Sequence, residues 1–244
     1  MGRGVVMEPF NLKVLARNRI CDCWNALFLA MNTINGRKHK MIMEYKAIDL
    51  GLPSGRLWAD KNVGAEKETD YGLYFQWGDT IGYTDASHST WDTCPGNGSN
   101  SDYNGISIDA WDTENLQSVK GMEDSILKIE TDTATVNMGS KWRMPTIEDC
   151  RELYSYTNYE YAVIDEVEGV KFISKADPSK YIFLPFAGGA AEDSFEGQGT
   201  EGVIWSSSVF SECLSSAYCL ITVDSDFNEI VGCRYNALSV RGVC

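Results

Sequence analysis

From Tyr45 onward, apolar positions recur at the spacings of short strands, with few helical stretches. Leu57 to Val63 predicts a strand that ends at Gly64. Tyr71 to Trp77 alternates with period two: Tyr71, Leu73, Phe75 and Trp77 face one way, Gly72, Tyr74 and Gln76 the other. Pro145-Thr146-Ile147-Glu148-Asp149 predicts a helix start. Thr146 caps it, Asp149 answers from three residues on, and both acids suit the positive helix N-terminus. Ile147, Cys150 and Tyr154 then form a buried stripe at helical spacing. Tyr181 to Pro185 predicts a buried strand, and Trp205 to Ser208, Tyr218 to Val223 and Leu238 to Val243 predict three late ones. Residues 84–107 are rich in Ser, Thr, Asn, Asp and Gly, with turn signals at Asn97-Gly98 and Asn104-Gly105. They predict a long surface loop, and loops of that length are functional or mobile. The pattern holds no internal repeat and no interdomain linker. The expectation is one α+β domain over 44–244, with short strands, a few helices and long loops.

Composition adds a boundary. The chain has 244 residues, 43% of them hydrophobic, and a net charge of −14. That suffices for a buried core and argues against disorder. Residues 1–43 carry Arg3, Lys13, Arg17, Arg19, Arg37, Lys38 and Lys40 against Glu8 and Asp22, a net +5, so the remainder carries −19. This piece is expected to be an upstream extension, poorly packed, with Met41 or Met43 marking the change to the domain. Its apolar run from Trp24 to Met31 is too short to span a bilayer. Asp22 interrupts that apolar region, and no small-x-small cleavage site follows. The acidity of the rest argues against a nucleic-acid partner, because phosphate contacts need clustered Lys and Arg.

Motifs for chemistry are tested and set aside. Gly197-Gln-Gly-Thr-Glu-Gly202 matches a dinucleotide fingerprint by letter, but strand-like Val203-Ile-Trp205 follows where a helix is required, so a turn is expected. Asp224-Ser-Asp226-Phe-Asn228 starts like a calcium loop, but Glu229 and Tyr235 stand where an EF-hand needs Gly and Glu. The chain has no G-x-S-x-G, no P-loop and no H-E-x-x-H, and its two histidines, His39 and His88, lie far apart. Its eight cysteines include no C-x-x-C pair. No catalytic residue, metal or cofactor is therefore assigned. Trp58, Trp77, Trp142 and Trp205 sit in apolar contexts and are expected in the core, whereas Trp91 and Trp111 border the polar loop and are candidates for ligand stacking, with core or loop anchoring as the competing reading.

The tail carries the candidate site. Between Trp205-Ser-Ser-Ser208 and Leu238-Ser-Val-Arg241 lie Phe210, Ser211, Glu212, Cys213, Asp224, Asp226, Asn228, Arg234, Tyr235 and Asn236, without amphipathic period. Irregular segments framed by regular elements read as a recognition surface on a rigid scaffold. Phe210, Arg234 and Tyr235 are the expected anchors, since aromatic residues and Arg dominate hot spots. Glu212, Asp224 and Asp226 are expected to set charge selectivity and on-rate. An ordinary solvated rim is the competing reading.

An ordered set of motifs gives these features a family likeness. Asp49-Leu-Gly-Leu-Pro-Ser-Gly-Arg-Leu-Trp-Ala59, Asn62-Val-Gly-Ala65 and Tyr71-Gly-Leu-Tyr-Phe-Gln-Trp-Gly78 open it. Trp142-Arg-Met-Pro-Thr146, Tyr181-Ile-Phe-Leu-Pro185, Trp205-Ser-Ser-Ser208 and Ser239-Val-Arg241 continue it. Together they resemble the Fibrobacter succinogenes major paralogous domain family, common in gut Bacteroidetes and their phages. They are also similar to variable proteins of diversity-generating retroelements. The resemblance covers residues 45–244. It implies a C-type-lectin-like fold of the formylglycine-generating-enzyme type and a non-enzymatic receptor-binding module with a diversified C-terminal face. It further implies a cell-surface protein or glycan partner and a place on a virion tail or a bacterial surface. In such proteins the segment after Trp-Ser-Ser-Ser is rewritten at adenine-containing codons, which accounts for the mixed side chains and crowded cysteines of the tail. Arg241-Gly242-Val243 departs from the family's frequent Pro after Arg. The rival readings are an oxidase related to formylglycine-generating enzymes, which needs a reactive cysteine pair or a metal-bound thiolate, and a structural surface domain without a single ligand.

Overall fold

Short strands, not helices, carry the chain. The computed structural model describes residues 43–95, 108–120, 122, 124–224 and 226–244, with side chains of the first helix from Trp111 on. The expectations for the N-terminal piece and for the turns at Asn97-Gly98 and Asn104-Gly105 lie outside the described residues. Residues 43–244 form one compact unit. In order they run β1 (Ala47–Asp49), β2 (Leu57–Ala59), β3 (Tyr74–Gln76), α1 (Ile108–Asn115), β4 (Leu116–Gln117) and β5 (Ile126–Leu127). Then come α2 (Thr133–Met138), α3 (Ile147–Tyr156), β6 (Thr157–Ile164), β7 (Val167–Ser174), β8 (Tyr181–Pro185) and β9 (Gly189–Ala191). The chain closes with β10 (Ser194–Glu196), β11 (Glu201–Val209), β12 (Ser216–Val223), β13 (Asp226–Cys233) and β14 (Ala237–Ser239). The result is strand-rich with few helices.

The main sheet has the order β10-β9-β14-β11-β12-β13, with β3 added on β14 and β5 on β11. Its pairs are antiparallel except β11 with β14, which is parallel. A second sheet, β6-β7-β8, is antiparallel throughout. Period-two alternation splits β11 and β12 between two cores. Ile204 and Leu220 join Leu50, Trp58, Ile147, Leu153 and Phe172 on one side. Val203, Trp205 and Cys219 join Phe75, Trp77 and Leu127 on the other.

The predicted helix start is α3. Thr146 Oγ1 accepts from the Asp149 N–H at 3.2 Å and Asp149 Oδ2 accepts from the Thr146 N–H at 2.8 Å, a complete capping box. Burial alone pushes the Asp149 carboxyl up, but Arg143, 2.7 Å from Oδ2, and the Thr146 donors leave it below the usual carboxylate range. Ile147, Cys150 and Leu153 are buried, with Tyr154 packed alongside.

Several spans differ from the pattern reading. The strand from Leu57 stops at Ala59, and the last one stops at Ser239 although Val243 still bridges to Trp58 and Arg143. Leu73, Phe75 and Trp77 share one core as expected, but Tyr71 packs with Tyr74 on the other side. The cause is Gly72, whose φ of +78° breaks the extended backbone and shifts the alternation by one. The β6–β7 hairpin, β9, β10 and β13 were not read from the pattern.

Candidate functional site

The β12–β13 hairpin organises the tail. Its register runs from Ser216 opposite Cys233 to Val223 opposite Asp226, closed by a tight turn in which Asp224 takes φ +51°. Asp and Asn tolerate that left-handed conformation better than most residues. The calcium-loop resemblance of this segment thus resolves into a turn and a strand. Among the described residues no group of three His, Cys, Asp or Glu is placed to share a metal ion. The G-x-G-x-x-G letters likewise lead directly into β11 rather than into a helix.

One face of the main sheet opens into a groove of about 250 Å³, lined from six strands. Glu196 comes from β10, Gly189 and Ala191 from β9, Leu238 from β14 with Asn236 just before it, Val203 and Glu201 from β11, Cys219 and Ile221 from β12, and Ile230 and Gly232 from β13. The register places these on one face, because Gly189 pairs with both Glu196 and Leu238, and Val203 with Ile221. Gly232 leaves room for the Trp205 ring, which a Cβ there would approach to 3.1 Å. The Oδ1 of Asn236 is buried and has no hydrogen-bond partner among the described residues.

The ten expected residues separate into five places. Asn236 lines the groove, and Asp226 and Asn228 lie on the same face, opposite Val223 and Ile221. Asp224 is at the hairpin tip. Phe210, Ser211, Glu212 and Cys213 form the β11–β12 connection, where Phe210 packs edge-on against Tyr218 at 5.5 Å and the Ser211 N–H donates to Asp124 Oδ1 at 3.2 Å. Tyr235 lies beyond Cys233, at the same end of the hairpin as that connection, and tilts against Trp91 at 4.8 Å. Seven residue steps of strand, about 23 Å, separate this end from the Asp224 tip. So the tail residues do not form one patch.

Arg234 corrects the expectation of an exposed anchor: it is 0% exposed. Its guanidinium lies between the rings of Trp77 and Trp111, 4.7 and 4.5 Å from their centroids. Nη1 donates to Asp112 Oδ1 at 2.7 Å and to the Leu214 carbonyl at 2.8 Å, and Nη2 to the Pro95 carbonyl at 3.3 Å. A planar, weakly hydrated cation stacks and forks in this way where an ammonium does not. Trp111 is accordingly core, not a stacking platform, whereas Trp91 is half-buried. Trp58, Trp77, Trp142 and Trp205 are all buried, as expected.

Sequence reasoning missed Glu196, Glu201, Ile230 and Gly232. The only signal in β13 was weak: Phe227, Val231 and Cys233 alternate with Asn228 and Gly232, but Glu229 and Ile230 are out of phase.

Cys94, Cys150, Cys213, Cys219, Cys233 and Cys244 are free thiols. Burial pushes Cys94 and Cys219 up to about 12 and raises Cys150 well above its ordinary value, so these three are inert at neutral pH. Cys213 is exposed and its thiol is lowered by the Ser215 and Ser216 hydroxyls. Tyr74, also buried, rises to about 12. The unfolded chain releases these protons first, at its ordinary thiol and phenol pKa values. Stability is therefore intact below about pH 8.5 and falls as pH climbs toward 12. Urea midpoints taken from pH 8 to pH 11 should drop steadily, and a flat profile would contradict the buried thiol and phenol assignments.

No known protein family, curated protein or solved structure matches the chain.

Proposed function

We propose that residues 44–244 are a non-enzymatic binding module, with a C-type-lectin-like fold, that recognises a receptor on bacterial cells. Its ligand face is the groove-bearing side of the main sheet, with Asp226, Asn228 and Asn236 among its residues. The observation that carries this reading is the groove itself: a concave, largely apolar floor with a few polar groups at its margin, the usual composition of a recognition site. The tail-sequence resemblance to retroelement variable proteins supports the diversified character of that face, and a place on a virion tail or a cell surface belongs to the same reading. Phe210 and Tyr235, each at the end of the hairpin away from Asp224, form a secondary margin.

The test uses fluorescently labelled full-length protein on a panel of whole gut-bacterial cells. Asp226→Ala/Asn228→Ala/Asn236→Ala is expected to abolish cell binding, with melting within a few degrees of wild type because all three side chains lie at the surface or its margin. Phe210→Ser/Tyr235→Ser is expected to weaken binding less. Undiminished binding by both variants would overturn the proposal.

A further inference from the structure

We propose that the groove receives a cationic side chain, arginine or lysine, from a protein partner. The inference rests on the reading that this face binds a partner, and it names the chemistry.

Charge comes first. From Tyr181 to Cys233 the chain carries carboxylates but neither Lys nor Arg. Every strand of the groove belongs to that stretch except β14, which has no charged residue. Glu229 is answered by Arg151 at 2.6 Å, from outside the stretch. Glu196 and Glu201, which line the groove, have no ion-pair partner among the described residues. Asp226 adds a third carboxylate to the same face. A groove bounded by one sign of charge over low-dielectric walls focuses its field and attracts the opposite sign.

Shape and polarity narrow the ligand. A volume of about 250 Å³ falls below the range of sites for drug-sized molecules, about 300–1,000 Å³, and suits a single long side chain. Val203, Ile221, Ile230 and Leu238 line it with hydrocarbon, which packs the methylene stem of Arg or Lys while the head stays near the carboxylates. Asn236 adds an acceptor that lacks a partner among the described residues. A guanidinium or ammonium brings only donors, so carboxylates and amide oxygen match it without leaving a lone pair facing a lone pair. A neutral sugar can donate to the same acceptors but brings no charge to answer the carboxylates.

The test is a titration of isotope-labelled full-length protein, followed through backbone amides. The probes are Nα-acetyl-arginine amide, Nα-acetyl-lysine amide, the neutral isostere Nα-acetyl-citrulline amide and methyl α-mannoside. Saturable shifts are expected at Gly189, Gly232 and Asn236 with the two cations, and at least tenfold weaker binding with citrulline. Glu196→Gln/Glu201→Gln is expected to weaken the cations at least tenfold with unchanged melting. Equal binding of citrulline and arginine, absence of cation shifts at these residues, or preferential binding of the mannoside there would overturn the inference. If the cations fail while Asp226→Ala/Asn228→Ala/Asn236→Ala still abolishes cell binding, this inference falls and the binding reading stands. If that variant and Phe210→Ser/Tyr235→Ser both leave cell binding intact, the binding reading itself falls.

Discussion

Arg234→Ala is expected to destabilise the domain by about 3–5 kcal/mol, the usual cost of stranding one member of a buried ion pair. Asp112 loses its cation in an environment where both side chains are nearly sealed from solvent, 0% and 7% exposed. The carbonyls of Leu214 and Pro95 lose their donors as well. Trp77 and Trp111 lose the plane between them. Arg234→Met/Asp112→Asn should recover part of the loss, because the stranded carboxylate, not the missing attraction, sets most of the cost. Urea unfolding measures both variants. An Arg234→Ala protein within about 0.5 kcal/mol of wild type, the spread of ordinary surface substitutions, would contradict a structural role and return Arg234 to the list of surface residues.

Trp205→Ala should cost a similar amount, about 3–5 kcal/mol for truncating a fully buried aromatic. The ring is 0% exposed and packs with Phe75, Trp77 and Val203. Its Nε1 donates to the Phe75 carbonyl at 2.8 Å, and losing a buried donor adds about 1–3 kcal/mol for the orphaned acceptor. The indole also lies against Gly232 in β13, on the groove's own face of the sheet, so its removal disturbs the groove wall beside it. Insoluble or molten protein, with lost near-ultraviolet dichroism, is the expected outcome. A wild-type melting curve would contradict the packing described.

The comparison of pattern with structure has a physical logic. The Thr146–Asp149 box was legible because both halves of a capping box are local in sequence. The four core tryptophans were legible because a large apolar ring in an apolar context has little choice but burial. Arg234 was misplaced because the same sequence signal, a lone Arg among polar residues, describes a hot spot and a buried cation alike; only the convergence of Trp77, Trp111 and Asp112, distant in sequence, separates them. β13 was missed because it is an edge strand exposed on much of both faces, so its polar and apolar residues alternate only weakly. The groove was invisible for a different reason. It gathers Glu196, Glu201, Asn236 and Ile230 from different strands, and strand order is a property of the fold rather than of any local window.

A rigid scaffold that holds a replaceable face tolerates side-chain change on the face and not in the scaffold. Protease resistance of two displayed libraries measures this. One randomises Phe210, Ser211, Glu212, Cys213, Asp226, Asn228, Tyr235 and Asn236; the other randomises Trp205, Arg234 and Arg241, which are buried. Most members of the first library are expected to resist protease as wild type does, and nearly all members of the second to be cut. Equal loss of resistance in the two libraries would contradict this, because the tail would then be part of the core rather than the face it carries.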